Sequence, residues 1–307
     1  MNPYTYQSGN LSANVQLQEA TGKWLRYTVD FPSAFPVTYP ENKTVLGEYF
    51  QPRNTNKTPL VILVHGWGDH SILPCQLLAR TLVKKGMACF ILYLVFHSRR
   101  MAEATKQRLP LLTPEEWFQG YQISVIDIRQ VIDWAGTRTE IDKDNIAVLG
   151  ISLGGFISEI AMGIERRIKV GIFTIAGGNA EVLTWNTRNE AIKKGHICSR
   201  EECRDLRSHY PKYRAQVMEQ GLENVTPIKQ CFLTDPITYA PFLKGRPVMM
   251  INSLWDKAVP RQSTLDYWEA CGRPPITWYP ATHAGVWLLY PLIANRVSGF
   301  LKSAFEM

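Results

Sequence analysis

Apolar runs recur along this chain at Leu60 to Val64, Ala88 to Phe96, Ile146 to Leu149, Val170 to Ala176 and Val248 to Ile251, with helix-like segments between most of them. A strand that is apolar at consecutive positions has two faces to bury, and a sheet of such strands is covered by helices on both sides. Strands that alternate with helices along the sequence pair in parallel, because a parallel pair needs a long crossover and the helix supplies it. The succession predicts an α/β fold with a mostly parallel central sheet.

The first part of the chain reads differently. Between Leu11 and Phe31 polar and apolar residues alternate around Thr21-Gly22, with Trp24 and Tyr27 among the β-formers, which predicts an antiparallel hairpin. Val45 to Phe50 adds a short strand. Farther on, Thr113-Pro114-Glu115-Glu116 supplies an N-cap, a proline at the first helical position and a capping-box glutamate. Phe118, Tyr121, Val125, Ile128 and Ile132 then follow at helical spacing up to Gly136. A second helix, Gln262 to Cys271, is closed by Gly272 before a last strand, Ile276 to Tyr279. About seventy residues separate the Val170 and Val248 strands, far more than the usual loop of such a sheet. The expected division is an α/β core of residues 1–177 and 246–307, interrupted by a helical cap insertion at 178–245.

Ile146 to Leu149 runs into Gly150-Ile151-Ser152-Leu153-Gly154, and Phe156 to Ile164 reads as a helix. A Gly-x-Ser-x-Gly pentapeptide between strand and helix is the setting for a sharp, strained turn that lifts a serine hydroxyl above the sheet. The glycines remove Cβ atoms that would collide with the neighbouring strands and helix. A second loop, His65-Gly66-Trp67-Gly68, leaves the Leu60 strand ahead of the helix expected over Ile72 to Lys85. Its Trp67 amide and the Leu153 amide are the expected donors to an oxyanion, while His65 is expected to hold the loop rather than move protons.

A serine nucleophile needs a base and an acid, and in this arrangement they follow it in the order acid, then histidine. Asp256 follows the Val248 strand in Trp255-Asp256-Lys257-Ala258-Val259-Pro260, and His283 follows the last strand in Ala281-Thr282-His283-Ala284-Gly285. Asp235 is the weaker acid candidate, because Asp235-Pro236 reads as an N-cap and first helical residue ahead of the strand. Asp266 falls within a helix. Of the other histidines, His70 starts a helix, His97 ends a strand, and His196 and His209 lie in the insertion.

Together these residues resemble the α/β-hydrolase superfamily over about Val45 to Phe300. The N-terminal strands and the Trp-Asp-x-x-Val-Pro segment look like its dienelactone-hydrolase, acetyl-xylan-esterase and prolyl-oligopeptidase-like branch. Dienelactone hydrolases use a cysteine nucleophile where this chain has Ser152, so their substrate does not carry over. The resemblance and the residue chemistry imply the same reaction: hydrolysis of a small-molecule carboxylic ester through an acyl-enzyme, with Ser152, Asp256 and His283 as the triad. Neither metal nor organic cofactor is required, since amides and the His-Asp pair handle the developing charge. Trp67, Trp255 and Trp287 flank the catalytic loops and are candidates for a substrate wall or for core packing. A peptidase or thioesterase would use the same triad, and a non-catalytic binding protein of the same fold is a rival from another class.

Composition excludes few alternatives. The net charge of +7 raises an anionic partner, but the basic residues do not gather into one patch. Arg99, Arg100, Lys106 and Arg108 form one group, and those from Lys193 to Arg214 are interrupted by Glu201, Glu202 and Asp205. Solvated surface is expected, without nucleic acid. The longest uncharged apolar run, Met87 to Phe96, is too short to span a bilayer as a helix. Met1 to Gln16 lack the features of a secretory signal, so a cytoplasmic protein is expected. Six cysteines in a chain of 307 residues point to reduced thiols, and His196, Cys198, Cys203 and His209 match no common zinc spacing.

Overall fold

The computed structural model describes residues 2–8, 11–35, 40–53, 57–68, 72–101, 103–106, 112–189, 192–193 and 198–307. Three strands, β1 (Asn14–Ala20), β2 (Trp24–Pro32) and β3 (Thr44–Pro52), run antiparallel, and β3 lies antiparallel against β5 (Ala88–Leu92). From β5 the sheet continues in parallel through β4 (Thr58–Val64), β6 (Ile141–Ile151), β7 (Ile168–Thr174), β8 (Val248–Ser253) and β9 (Ile276–Tyr279). The nine strands form one sheet in the order β1-β2-β3-β5-β4-β6-β7-β8-β9.

The two faces of β4 show why its apolar run has no gaps. Leu60, Ile62 and Val64 join one core with α2 (Pro114–Gly136) and α3 (Leu153–Ile164). Val61 and Leu63 point the other way, into a second core with α1 (Ile72–Val83) and α7 (Tyr290–Ala304). Each side chain in that run is buried, as a strand covered on both faces requires. The largest fully buried side chain, Trp134 on α2, meets the Tyr49 ring edge-on at 5.0 Å, and its truncation to alanine would cost roughly 3–5 kcal/mol.

The capping box at α2 forms as the sequence predicts: Thr113 accepts from the Glu116 amide at 3.2 Å, and Glu116 accepts from the Thr113 amide at 2.8 Å. Gly272, with φ at +93°, follows the end of α6 (Arg261–Ala270). Between β7 and β8 lie α4 (Ala180–Asn186), α5 (Arg200–Gln220) and several short helical turns. Among the described residues, their apolar side chains do not form a separate core. Tyr210, Tyr213, Val217, Phe232 and Tyr239 join the cluster that α2 and α3 share with the sheet.

Two expectations are corrected. The Ala88 to Phe96 run leaves the sheet after Leu92: the Tyr93 amide still donates to the Leu46 carbonyl of β3 at 3.0 Å, and beyond it side chains take over from the ladder. The Leu94 amide donates to His65 Nε2 at 3.1 Å, the Tyr93 hydroxyl donates to Glu48 at 2.7 Å, and Phe96 takes a left-handed φ of 61°. Arg100, grouped above with solvated basic residues, is buried. Its guanidinium donates to Asp127 at 2.6 Å, to the Tyr93 carbonyl at 2.9 Å and to the Asn42 carbonyl at 3.2 Å. A cation that makes several charge-assisted bonds tolerates an interior that an unpaired one would not. Arg99 and Lys106 are exposed, and Arg108 lies outside the described residues, as do His70 and His196.

Candidate active site

The parallel strands deliver their following loops to one edge of the sheet, and three of those loops meet there. β6 ends in Ile151, and Ser152 follows at φ 53° and ψ −117°, a conformation a non-glycine residue adopts only when its surroundings impose it. The surroundings are close-packed backbone. A Cβ on Gly150 would strike the Gly154 carbonyl, and one on Gly154 would strike the Val64 and His65 carbonyls. The Ser152 amide is itself spent on the Thr174 carbonyl at 2.9 Å, which fastens the turn to β7.

His283, in the loop after β9, places Nε2 2.9 Å from Ser152 Oγ and Nδ1 2.7 Å from Asp256 Oδ2. A carboxylate only accepts, so Nδ1 carries the proton and Nε2 presents its lone pair to the serine hydroxyl. Asp256 is held by its own loop: Oδ1 accepts from the Ala258 amide at 2.8 Å and from the Val259 amide at 2.9 Å, which leaves Oδ2 for the imidazole. The Asp256 side chain is 7% exposed and that of His283 27%, so the carboxylate is shielded while the imidazole reaches solvent.

Asp235, the rival acid, is elsewhere. Its carboxylate accepts from the amides of Asn179 at 3.0 Å, Ala180 at 2.9 Å and Ile237 at 3.0 Å, and from the Arg207 guanidinium at 2.7 Å. It caps the short helical turn at Pro236–Thr238, as its Asp-Pro sequence predicts, and also binds the start of the long insertion to its end. Asp266 lies on α6 and accepts from Asn179 and Gln262.

Leu153 opens α3, so its amide is one of the first-turn donors that no carbonyl of the helix can accept. Trp67 stands on the loop after β4, and His65 holds that loop. Nδ1 of His65 donates to the Gly66 carbonyl at 2.8 Å, while Nε2 accepts from Leu94. Both ring nitrogens are thereby committed to backbone, the structural role expected of it. The Trp67 ring stacks on Trp117 with centroids 4.9 Å apart and meets His97 edge-on at 4.8 Å. Trp287 packs half-buried against the α1/α7 core, and Trp255 stands out in solvent.

Beside Leu153 lies an apolar cavity of about 20 Å³, lined by Trp67, Val95, Phe96, Trp117, Tyr121 and Ile157 among others. Sequence reasoning missed Trp117, Gly120, Tyr121 and Ser124 as cavity residues. Their spacing of three, four and seven puts them on one face of α2, which from sequence alone reads as ordinary packing. A polar hollow of about 280 Å³ on α5, lined by Cys198, Glu202, Asp205, Leu206 and Lys229, shares no residue with this site. Among the described residues, no group of three or more histidine, cysteine or acidic side chains is placed to hold a metal.

One ionisable group on α3 belongs to none of these contacts. Glu159, on α3, is fully buried with neither carboxylate oxygen hydrogen-bonded. Burial, reinforced by the nearby Asp235 carboxylate, pushes its pKa well above the usual range.

Residues 16–228 match the family described as alpha/beta hydrolase domain containing 18. The chain belongs to this family. Among curated relatives, an uncharacterized protein of Mycobacterium tuberculosis is 24% identical over 184 residues, 60% of this chain and 37% of the relative. An uncharacterized 31.7 kDa protein of Escherichia coli from the traX-finO intergenic region is 29% identical over 151 residues, 48% of this chain and 47% of the relative. The chain thus spans less than half the length of these relatives. Among solved structures, the acetyl xylan esterase of Paenibacillus sp. R4 superposes with a TM-score of 0.65 at 17% identity, covering 96% of this chain and 89% of that one. A cold-adapted esterase from an Arctic intertidal metagenomic library gives 0.58 at 17% identity, covering 97% and 100%. At such identities the likeness is one of fold, and it agrees with the branch that the sequence resembles.

Proposed function

We propose that this α/β hydrolase is a serine esterase acting through an acyl-enzyme, with Ser152 as nucleophile, His283 as base and Asp256 as the acid that orients it. The observation that carries the reading is the unbroken chain from Ser152 Oγ through His283 to a carboxylate held by two backbone amides. His283 Nε2 takes the Ser152 proton as Oγ attacks the acyl carbon, and the Trp67 and Leu153 amides stabilise the resulting oxyanion. The imidazolium then protonates the leaving alcohol, and water activated by the same nitrogen releases the acid.

Leu153 and Trp67, whose amides are assigned to the oxyanion, also line the apolar cavity, which supports reading it as the acyl pocket. A volume of about 20 Å³ takes little more than one small group, and this favours a short acyl chain. The esterase names of several structural neighbours support a carboxylic ester over an amide or thioester. We read residues 178–245 as a cap that governs substrate choice: among its described residues none is hydrogen-bonded to Ser152 Oγ, whose partner is His283.

A panel of p-nitrophenyl esters, acyl-CoA thioesters and peptide amides tests the class, with Asp256→Asn as the mechanistic control. Ester turnover that is fastest for the shortest acyl group, and that falls at least roughly a hundredfold in Asp256→Asn with the melt unchanged, is expected. Preference for the amides or thioesters would overturn the ester assignment.

A further inference from the structure

Among the described residues ten large hydrophobic side chains are exposed, and six of them, Leu73, Leu77, Leu254, Trp255, Leu288 and Leu292, come from segments around one end of the fold. Leu254 and Trp255 directly precede Asp256, and their amides donate to the Tyr279 and Ala281 carbonyls of the strand and loop that lead to His283. Leu288, 87% exposed, follows His283 by five residues, and Leu292 opens α7. Leu73 and Leu77 stand on α1. The Tyr290 hydroxyl donates to the Leu77 carbonyl at 2.8 Å and lies 2.5 Å from the Thr81 hydroxyl, so the start of α7 adjoins the middle and last turn of α1. Single exposed leucines are normal on a protein surface; leucines from adjoining segments that flank one site form a patch that needs a partner.

The charge behind the patch identifies the kind of partner. Neither α1 nor α7 contains an aspartate or glutamate. Past the leucines, the first exposed cations are Arg80 and Lys84 on the α1 side and Arg296 on α7, with Lys302 farther along that helix, and none of them pairs with a carboxylate among the described residues. The first acidic side chain after α7 is Glu306, at the opposite end of that helix. Apolar residues in front and cations one to two turns behind match the two layers of a bilayer surface, acyl chains below and phosphates above. A second copy of this chain fits less well, because its own cations would face these.

We infer that the α1/α7 edge docks on an anionic lipid bilayer, with the leucines in the interface and Arg80, Lys84 and Arg296 against lipid phosphates. Docking there turns the Ser152 edge of the sheet toward the lipid. It is a peripheral contact, since among the described residues no helix is long and apolar enough to cross a membrane. The contact stands independently of the esterase assignment, so Ser152→Ala should bind as the parent does.

Co-sedimentation of the full chain with vesicles of phosphatidylcholine alone, and of phosphatidylcholine mixed with phosphatidylglycerol, tests it. The protein should pellet with the mixed vesicles and be released by salt. The Leu288→Asp/Leu292→Asp double variant should lose at least about tenfold in partitioning to them. Arg80→Glu/Arg296→Glu should lose about as much on the mixed vesicles alone. Both variants should keep the parental melt and the turnover of a water-soluble p-nitrophenyl ester. Absence of vesicle binding, binding unaffected by the leucine variant, or a dimer in solution that this variant dissociates would each overturn the assignment.

Discussion

Asp235→Asn separates the two aspartates that the sequence offers as acids. The Asp235 side chain is fully buried and the Arg207 side chain is 14% exposed, so the substitution acts on a shielded ion pair. An amide keeps one acceptor oxygen, but its NH2 group must then face either the Asn179 and Ile237 amides or the Ala180 amide and Arg207, all of which are donors. Removing one partner of a buried pair costs about 3–5 kcal/mol, more than the roughly 1 kcal/mol of a simple helix cap. With an unfolding entropy of about 2.1 cal/mol/K per residue over 307 residues, the melting temperature should drop by about 5–8 °C. Differential scanning calorimetry reads the drop, and p-nitrophenyl ester turnover well below both melts should give a kcat close to that of the parent. A large kcat loss with an unchanged melt would refute this reasoning and return Asp235 to the site.

Two further outcomes follow from the buried carboxyl and the cavity. Glu159 holds its proton in the folded state and releases it on unfolding, so stability falls by up to about 1.4 kcal/mol per pH unit from the ordinary carboxylate range up to its raised folded value. Glu159→Gln should remove that slope, and denaturant melts at about pH 5 and about pH 7 should show its advantage over the parent growing with pH; parallel curves would contradict it. Trp117→Ala, which opens the cavity wall, should move the preferred p-nitrophenyl ester to longer acyl chains, and an unchanged chain-length profile would remove the cavity from the acyl side.

The strands were legible because burial on both faces writes itself into consecutive residues, as in Leu60 to Val64. The capping box at Thr113 and the glycine stop at Gly272 were legible because each rests on local backbone chemistry. Ser152, Asp256 and His283 could be picked out because chain order and strand ends define where such residues stand, and the structure brings these three together. What was not legible depends on long-range partners. Nothing near Arg100 announces that Asp127, the Tyr93 carbonyl and the Asn42 carbonyl will enclose it. Likewise, Trp117 becomes a cavity wall only because the Trp67 loop folds against it. The insertion reads as a helical cap, and nothing in its sequence tells that Tyr210, Phe232 and Tyr239 pack into the common core.

The assignment of Ser152 as an activated nucleophile is tested most directly by treating the protein with a fluorophosphonate and locating the adduct by mass spectrometry, alongside ester turnover of Ser152→Ala. A hydroxyl 2.9 Å from His283 Nε2 should react once and only there, and Ser152→Ala should neither label nor turn over ester above background. An adduct on another residue, with Ser152→Ala still fully active, would contradict it.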